Sequence, residues 1–131
     1  MPPSLPAGSP VDWQAKWITA NRTDKDPLPI FRKVVQLGRP IQQATVHLCG
    51  LGHYELTING RRVGDREMDP GWTNYRKTCL YSSYDVTNMI TPGDNVLGVM
   101  LGNGMYNVPG GRYVKFKGTF GPPKLIGQMQ V

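Results

Sequence analysis

The stretch from Tyr54 to Val63 constrains the fold more than any other part of the chain. Tyr54, Leu56 and Ile58 alternate with Glu55 and Thr57, the period-two pattern of a strand with one buried face. Asn59-Gly60 then supplies the two residues that tolerate positive φ, as a two-residue hairpin turn requires. Arg61-Arg62-Val63 begins the return strand. A slip of one residue would carry every apolar side chain of such a hairpin to the wrong face, so its register is set locally. The wider segment Cys49–Asp69 is therefore the organising unit, and the fold class it specifies is all-β.

The remaining residues continue the pattern. Among 131 residues, sixteen glycines and twelve prolines punctuate short apolar runs, which suits strands joined by turns. This length gives room for one domain with a core of its own. Residues 1–12, rich in Pro, Ser, Gly and Ala, read as a flexible lead-in, and 13–131 as a single β-sandwich domain. Trp13 and Trp17 have the i, i+4 spacing of a helical turn, but Ile18-Thr19 favours a short strand. Further strands are expected at Ile30–Leu37, with a bulge near Lys33-Val34, and at Ala44–Cys49, with a kink at Gly50-Leu51-Gly52. Past the hairpin comes a long loop with a turn at Pro70-Gly71, then a strand over Thr78–Val86. Asp85 or Thr87 is placed to cap a single turn through Asn88–Ile90. After a turn at Pro92–Asn95, the apolar run Val96–Leu101 has the character of a strand buried on both faces. A loop over Gly102–Gly111 precedes the last strand, Lys124–Val131. About eight strand signals at this spacing predict an antiparallel β-sandwich of jelly-roll type, with a five-stranded OB barrel as the alternative.

The candidate chemistry narrows quickly. The net charge of +6 is spread over single residues and pairs with no long like-charge run, a distribution that serves solubility as readily as an anionic partner. A basic OB-like domain binding single-stranded nucleic acid is the alternative function, resting on that charge and on exposed aromatics. Cys49 and Cys79, both in expected strands, read as buried thiols rather than a bridge. The start of the chain has no basic n-region or apolar h-region, and no run approaches the roughly eighteen apolar residues of a membrane span, so no membrane partner is expected. Asp65, Glu67 and Asp69 have the spacing of a calcium loop, but Pro70 occupies the place of its glycine and Arg76 that of its bidentate Glu. No metal or cofactor is expected. The two GxG stretches, 50–52 and 102–104, lack a third glycine or a following Lys and read as backbone geometry. His47 should face solvent or a strand neighbour, and His53 follows a glycine corner; no catalytic residue is assigned. The aromatics are more informative. Trp72 and Tyr75 share one loop, and Asn103, Tyr106 and Asn107 another, which pairs faces for sugar C–H groups with amides for hydroxyls. The other reading has Trp72 and Tyr75 plugging the end of the sandwich or docking on a neighbouring domain.

Read in order, Gly50–Asp65, the string Asp69-Pro70-Gly71-Trp72-Thr73-Asn74-Tyr75, then Tyr81–Thr87, Gly93–Val99 and Leu101–Tyr106 resemble the N-terminal β-sandwich domain of bacterial α-L-rhamnosidases. Trp13–Ile18 is similar to that family's entry segment and Phe120–Leu125 to a later strand. The resemblance implies a galactose-binding-like jelly roll, a non-catalytic accessory module packed near an (α/α)6 catalytic barrel. Its expected partners are that barrel and, through weak binding, a rhamnose-containing glycan. The acids of inverting hydrolysis belong to the barrel, and no position here corresponds to them. Two departures stand out. Met105 occupies a place where the family often carries Trp or Phe, which weakens stacking there. The chain also stops before the domain's usual last strands, which would leave a sheet edge open to a homodimer.

Overall fold

The computed structural model describes residues 10–21, 27–108, 110 and 118–131. These residues build ten strands and one short 3-10 helix: β1 (Ile18–Thr19), β2 (Ile30–Leu37), β3 (Thr45–Leu51), β4 (Tyr54–Ile58), β5 (Arg61–Arg62), β6 (Ser82–Asp85), the helix Thr87–Met89, β7 (Gly93–Leu101), β8 (Asn107–Val108), β9 (Gly118–Thr119) and β10 (Lys124–Gln130). Two four-stranded antiparallel sheets form, in the orders β1-β10-β3-β6 and β2-β7-β4-β5, with β8-β9 as a separate small ribbon. Two packed sheets replace the five-stranded barrel that was the alternative.

The core lies between the sheets. Val46 and Leu48 of β3 and Leu125 of β10 meet Leu56 and Ile58 of β4 and Val99 and Leu101 of β7. The alternation read from Tyr54–Ile58 is what places Leu56 and Ile58 there. The hairpin has the expected register, Ile58 opposite Arg61 and Thr57 opposite Arg62, with Asn59 at φ 51° and Gly60 at φ 78°. Its turn also reaches beyond the hairpin. Asn59 Nδ2 donates to Met89 O at 3.0 Å and to Asn95 Oδ1 at 2.9 Å, and its Oδ1 accepts from Val96 N at 2.9 Å. Asn95, fully buried, is completed by Thr91 and the Gly93 carbonyl. Asx-type bonding of this kind replaces solvent for groups that burial would otherwise strand.

The glycine pairs are one feature rather than two. Gly52 has φ +120°, and a Cβ there would lie 2.1 Å from the carbonyl oxygen of Gly102. Gly102 N donates to His53 O at 2.7 Å, and a Cβ on Gly104 would lie 2.9 Å from His53 N. Gly52 and Gly104 are bare because the two stretches pack on each other where β3 crosses to β4 and β7 ends.

Several local expectations change. β2 pairs with β7 in unbroken register from Ile30–Met100 to Leu37–Gly93, so there is no bulge at Lys33-Val34. β7 is fully buried on one face only, through Asn95, Val99 and Leu101, with Met100 on the other 41% exposed. The strand expected over Thr78–Val86 shrinks to Ser82–Asp85, since only these four residues find a partner in β3. Cys79 therefore lies outside any strand and is exposed, whereas Cys49 is buried; both are free thiols. His47 does sit beside its strand neighbour Ser83, but it is buried rather than solvated. Its Nδ1 is 2.7 Å from Ser83 Oγ and its Nε2 3.3 Å from Gln130 Oε1, under the rings of Trp13 and Tyr81. Gln128 holds the covering segment in place, accepting from the backbone N–H groups of Gln14 and Ala15 and donating to Asp12 O.

Candidate functional site

The long loop after the hairpin is tied down at its start. Asp69 O accepts from Tyr54 N at 3.1 Å, and its carboxylate accepts from Tyr84 Oη at 2.5 Å, Ser82 Oγ at 2.9 Å and Tyr54 Oη at 3.4 Å. The two tyrosine hydroxyls are 2.9 Å apart. Burial pushes the hydroxyl pKa of Tyr54 well up, reinforced by its bond to Tyr84. Burial likewise raises that of Tyr84, reinforced by Asp69. Both therefore stay protonated, as donors to Asp69 must be. Of the acidic trio, then, Asp69 clasps the loop and Glu67 pairs with Arg62 at 3.3 Å; the described residues hold no group of metal-ligating side chains.

Past the buried Pro70 the loop rises and folds into a turn. Lys77 N and Thr78 N both donate to Asn74 O, at 2.8 and 3.0 Å, and Arg76 N donates to Asn74 Oδ1 at 3.2 Å. This turn directs Tyr75 inward. Its ring meets Tyr106 at 5.3 Å and Phe120 at 5.5 Å between centroids, both edge-on, and Tyr106 and Phe120 stack at 5.7 Å. Edge-to-face rings at these separations attract beyond simple burial. The ribbon β8–β9 supplies Phe120: Asn107 pairs with Thr119, Phe120 N donates to Tyr106 O, and Tyr106 Oη donates to Phe120 O, each at 3.1 Å.

An open cleft of about 610 Å³ lies above this aromatic cluster, lined among others by Trp72, Asn74, Arg76, Met105, Thr119 and Phe120. The two loops singled out from the sequence do meet, through Tyr75 and Tyr106. The five candidates take different places, however. Trp72, 56% exposed, lines the cleft. Tyr75 is half-buried in the supporting cluster. Tyr106 and Asn107 are buried, and Asn107 donates through Nδ2 to Asn103 Oδ1 at 3.3 Å and through its backbone to Asn103 O at 3.2 Å. These four support the cleft rather than line it. Phe120, Arg76 and Thr119 were missed. The available signal for Phe120 was an aromatic immediately before Gly121-Pro122-Pro123, a turn that leaves its ring 45% exposed. Met105, noted as a departure from the family's aromatic, is on the lining, where a flexible thioether gives an adaptable apolar wall.

Fold and cleft together define a class: an antiparallel β-sandwich whose loops build an aromatic-walled cleft at one end. The α-L-rhamnosidase N-terminal domain family model matches residues 39–131, and the chain belongs to that family. An α-L-rhamnosidase of Formosa agariphila is 39% identical over 103 residues, 72% of this chain and 10% of the relative. The structure of α-L-rhamnosidase from Dictyoglomus thermophilum is 43% identical with a TM-score of 0.74, covering 90% of this chain and 14% of that one. That of the Aspergillus terreus enzyme is 32% identical with a TM-score of 0.75, covering 86% and 14%. The chain thus spans about a tenth to a seventh of the length of these relatives.

Proposed function

We propose that this chain is a non-catalytic accessory module of an α-L-rhamnosidase, and that its cleft helps to hold a rhamnose-containing glycan. The observation that carries the reading is the cleft itself, in which the exposed aromatic side chains Trp72 and Phe120 lie beside the polar Asn74 and Thr119. Ring faces stack on the C–H face of a sugar, and a few fixed polar groups orient its hydroxyls. Catalytic acids would come from elsewhere in the parent enzyme, so this chain alone is expected to leave p-nitrophenyl α-L-rhamnoside intact.

Titrating the 131-residue chain with L-rhamnose and rhamnosylated oligosaccharides tests the binding role. The expected result is saturable NMR shifts at Trp72, Thr119 and Phe120 and a change in tryptophan fluorescence. No change at tens of millimolar sugar would overturn it. A second reading, docking on the catalytic barrel, is favoured by the exposure of Met68, Trp72 and Leu80 along the same loop, since clustered apolar exposure marks interaction surfaces. That reading predicts no sugar response and saturable binding to the separately produced barrel.

A further inference from the structure

We infer that the cleft selects glycans carrying an anionic substituent, a uronate carboxylate or a sulfate ester, through Arg76. This rests on the reading of the cleft as a glycan site and goes beyond it by naming the charge of the ligand. Among the described residues that line the cleft, Arg76 is the charged one, and no carboxylate joins it there. Three other arginines among the described residues already have partners. Arg62 pairs with Glu55 at 3.7 Å and Glu67 at 3.3 Å, Arg66 reaches Asp69 at 4.0 Å, and Arg61 donates to Asn88 O at 3.0 Å. Arg76 meets no carboxylate or carbonyl through its guanidinium among the described residues. Its guanidinium carbon lies 5.8 Å from the centre of the Phe120 ring.

That arrangement suits an anion for three reasons. A cation–π contact holds the guanidinium in place without using up an N–H donor. The guanidinium fork matches a carboxylate or sulfate with two parallel hydrogen bonds, stronger than those to a neutral hydroxyl. Among the described residues the cleft offers a cation and no acid, so an approaching anion meets no repulsion from them, and the chain's net charge of +6 adds to the attraction. The aromatic walls would still take the sugar ring, so charge and stacking act on one ligand.

The test compares three probes on the 131-residue chain at low and moderate salt: methyl α-L-rhamnoside, its sulfate ester, and a rhamnosyl-uronate disaccharide. One or both anionic probes should bind about tenfold more tightly than the neutral one, with the advantage shrinking as salt rises; the tighter of the two identifies the substituent. Arg76→Gln should abolish that advantage, read as the ratio of anionic to neutral affinity, and Arg76→Lys should restore only part of it. Arg39→Gln makes the same charge change beyond Leu37, which pairs with the start of β7, while the cleft loop follows its end; it should have no effect. Equal affinity for neutral and anionic probes, or an anionic preference that Arg76→Gln leaves intact or Arg39→Gln also removes, would overturn the charge inference and leave the glycan site standing. Failure of all three probes to bind would overturn both.

Discussion

The two ends of the sandwich solve the same problem in opposite ways. At the Asn59 end, polar groups are bonded inward: Asn59 and Asn95 together join the hairpin turn, the end of the 3-10 helix and the start of β7. Little is left there for a ligand. At the other end, past Leu101, the backbone crossing is sealed by glycines, and the loops leave Trp72 and Phe120 exposed. Tyr75 and Tyr106 pack with Phe120 beneath the cleft, and the cleft itself stays open. The difference shows how one small fold keeps a rigid end and a receptive end. Satisfied amides close a surface, whereas rings supported from below leave one face to offer.

Breaking the shared core should affect both ends at once. Leu101→Ala removes a fully buried side chain between the sheets and should cost about 2–5 kcal/mol in chemical denaturation. Asn95→Ala should cost less, about 1–3 kcal/mol, by stripping partners from Thr91 and Asn59. It should leave the ring contacts of the cleft end unchanged by NMR; a parallel loss at both ends would contradict their independence.

pH should separate the ends further. Hydrogen bonds from the Thr87 hydroxyl and N–H hold the Asp85 carboxyl below its ordinary 3.8. A lowered pKa contributes stability that is present above the ordinary value and lost as pH falls through the folded one. Acid should therefore free the Thr87 amide first, seen as faster hydrogen exchange. At the cleft end the signs reverse. Tyr54 and Tyr84 are raised above their ordinary 10.0, chiefly by burial. Burial also pushes the Cys49 thiol up to about 12, with the nearby Cys79 adding to it. Such groups favour folding below their ordinary values and lose that contribution as pH climbs. Alkali should thus loosen the Asp69 clasp first, with Tyr84 and Tyr54 ionising late by ultraviolet absorbance. The smallest stability effect belongs to Trp72→Ala, within about 0.5 kcal/mol for an exposed side chain, while the sugar response of the cleft should be lost.

What could be read directly from the residues was local. Tyr54–Ile58 with Asn59-Gly60 determined a hairpin and its register, because alternation and turn chemistry act between neighbours in the chain. The same locality explains the errors. The run Val96–Leu101 is apolar enough to be buried twice over, but burial depends on what lies above the sheet, and Met100 is left exposed. Cys79 lies in a stretch apolar enough for a strand, yet only Ser82–Asp85 reach β3. The cleft shows the limit most clearly. Trp72 could be chosen from its loop, and the meeting of Tyr75 with Tyr106 depended on two loops converging. Arg76 and Phe120 acquired significance only when the β8–β9 ribbon brought Phe120 beside the turn at Asn74. By itself, then, the sequence determined the β class, the hairpin and membership of a family whose motifs run in order along the chain. Tertiary structure alone decided that two bare GxG stretches are mutual packing surfaces, that Asp69 is a clasp, and which rings support and which face outward. Those properties arise from contacts between distant segments, and no spacing along the chain encodes them.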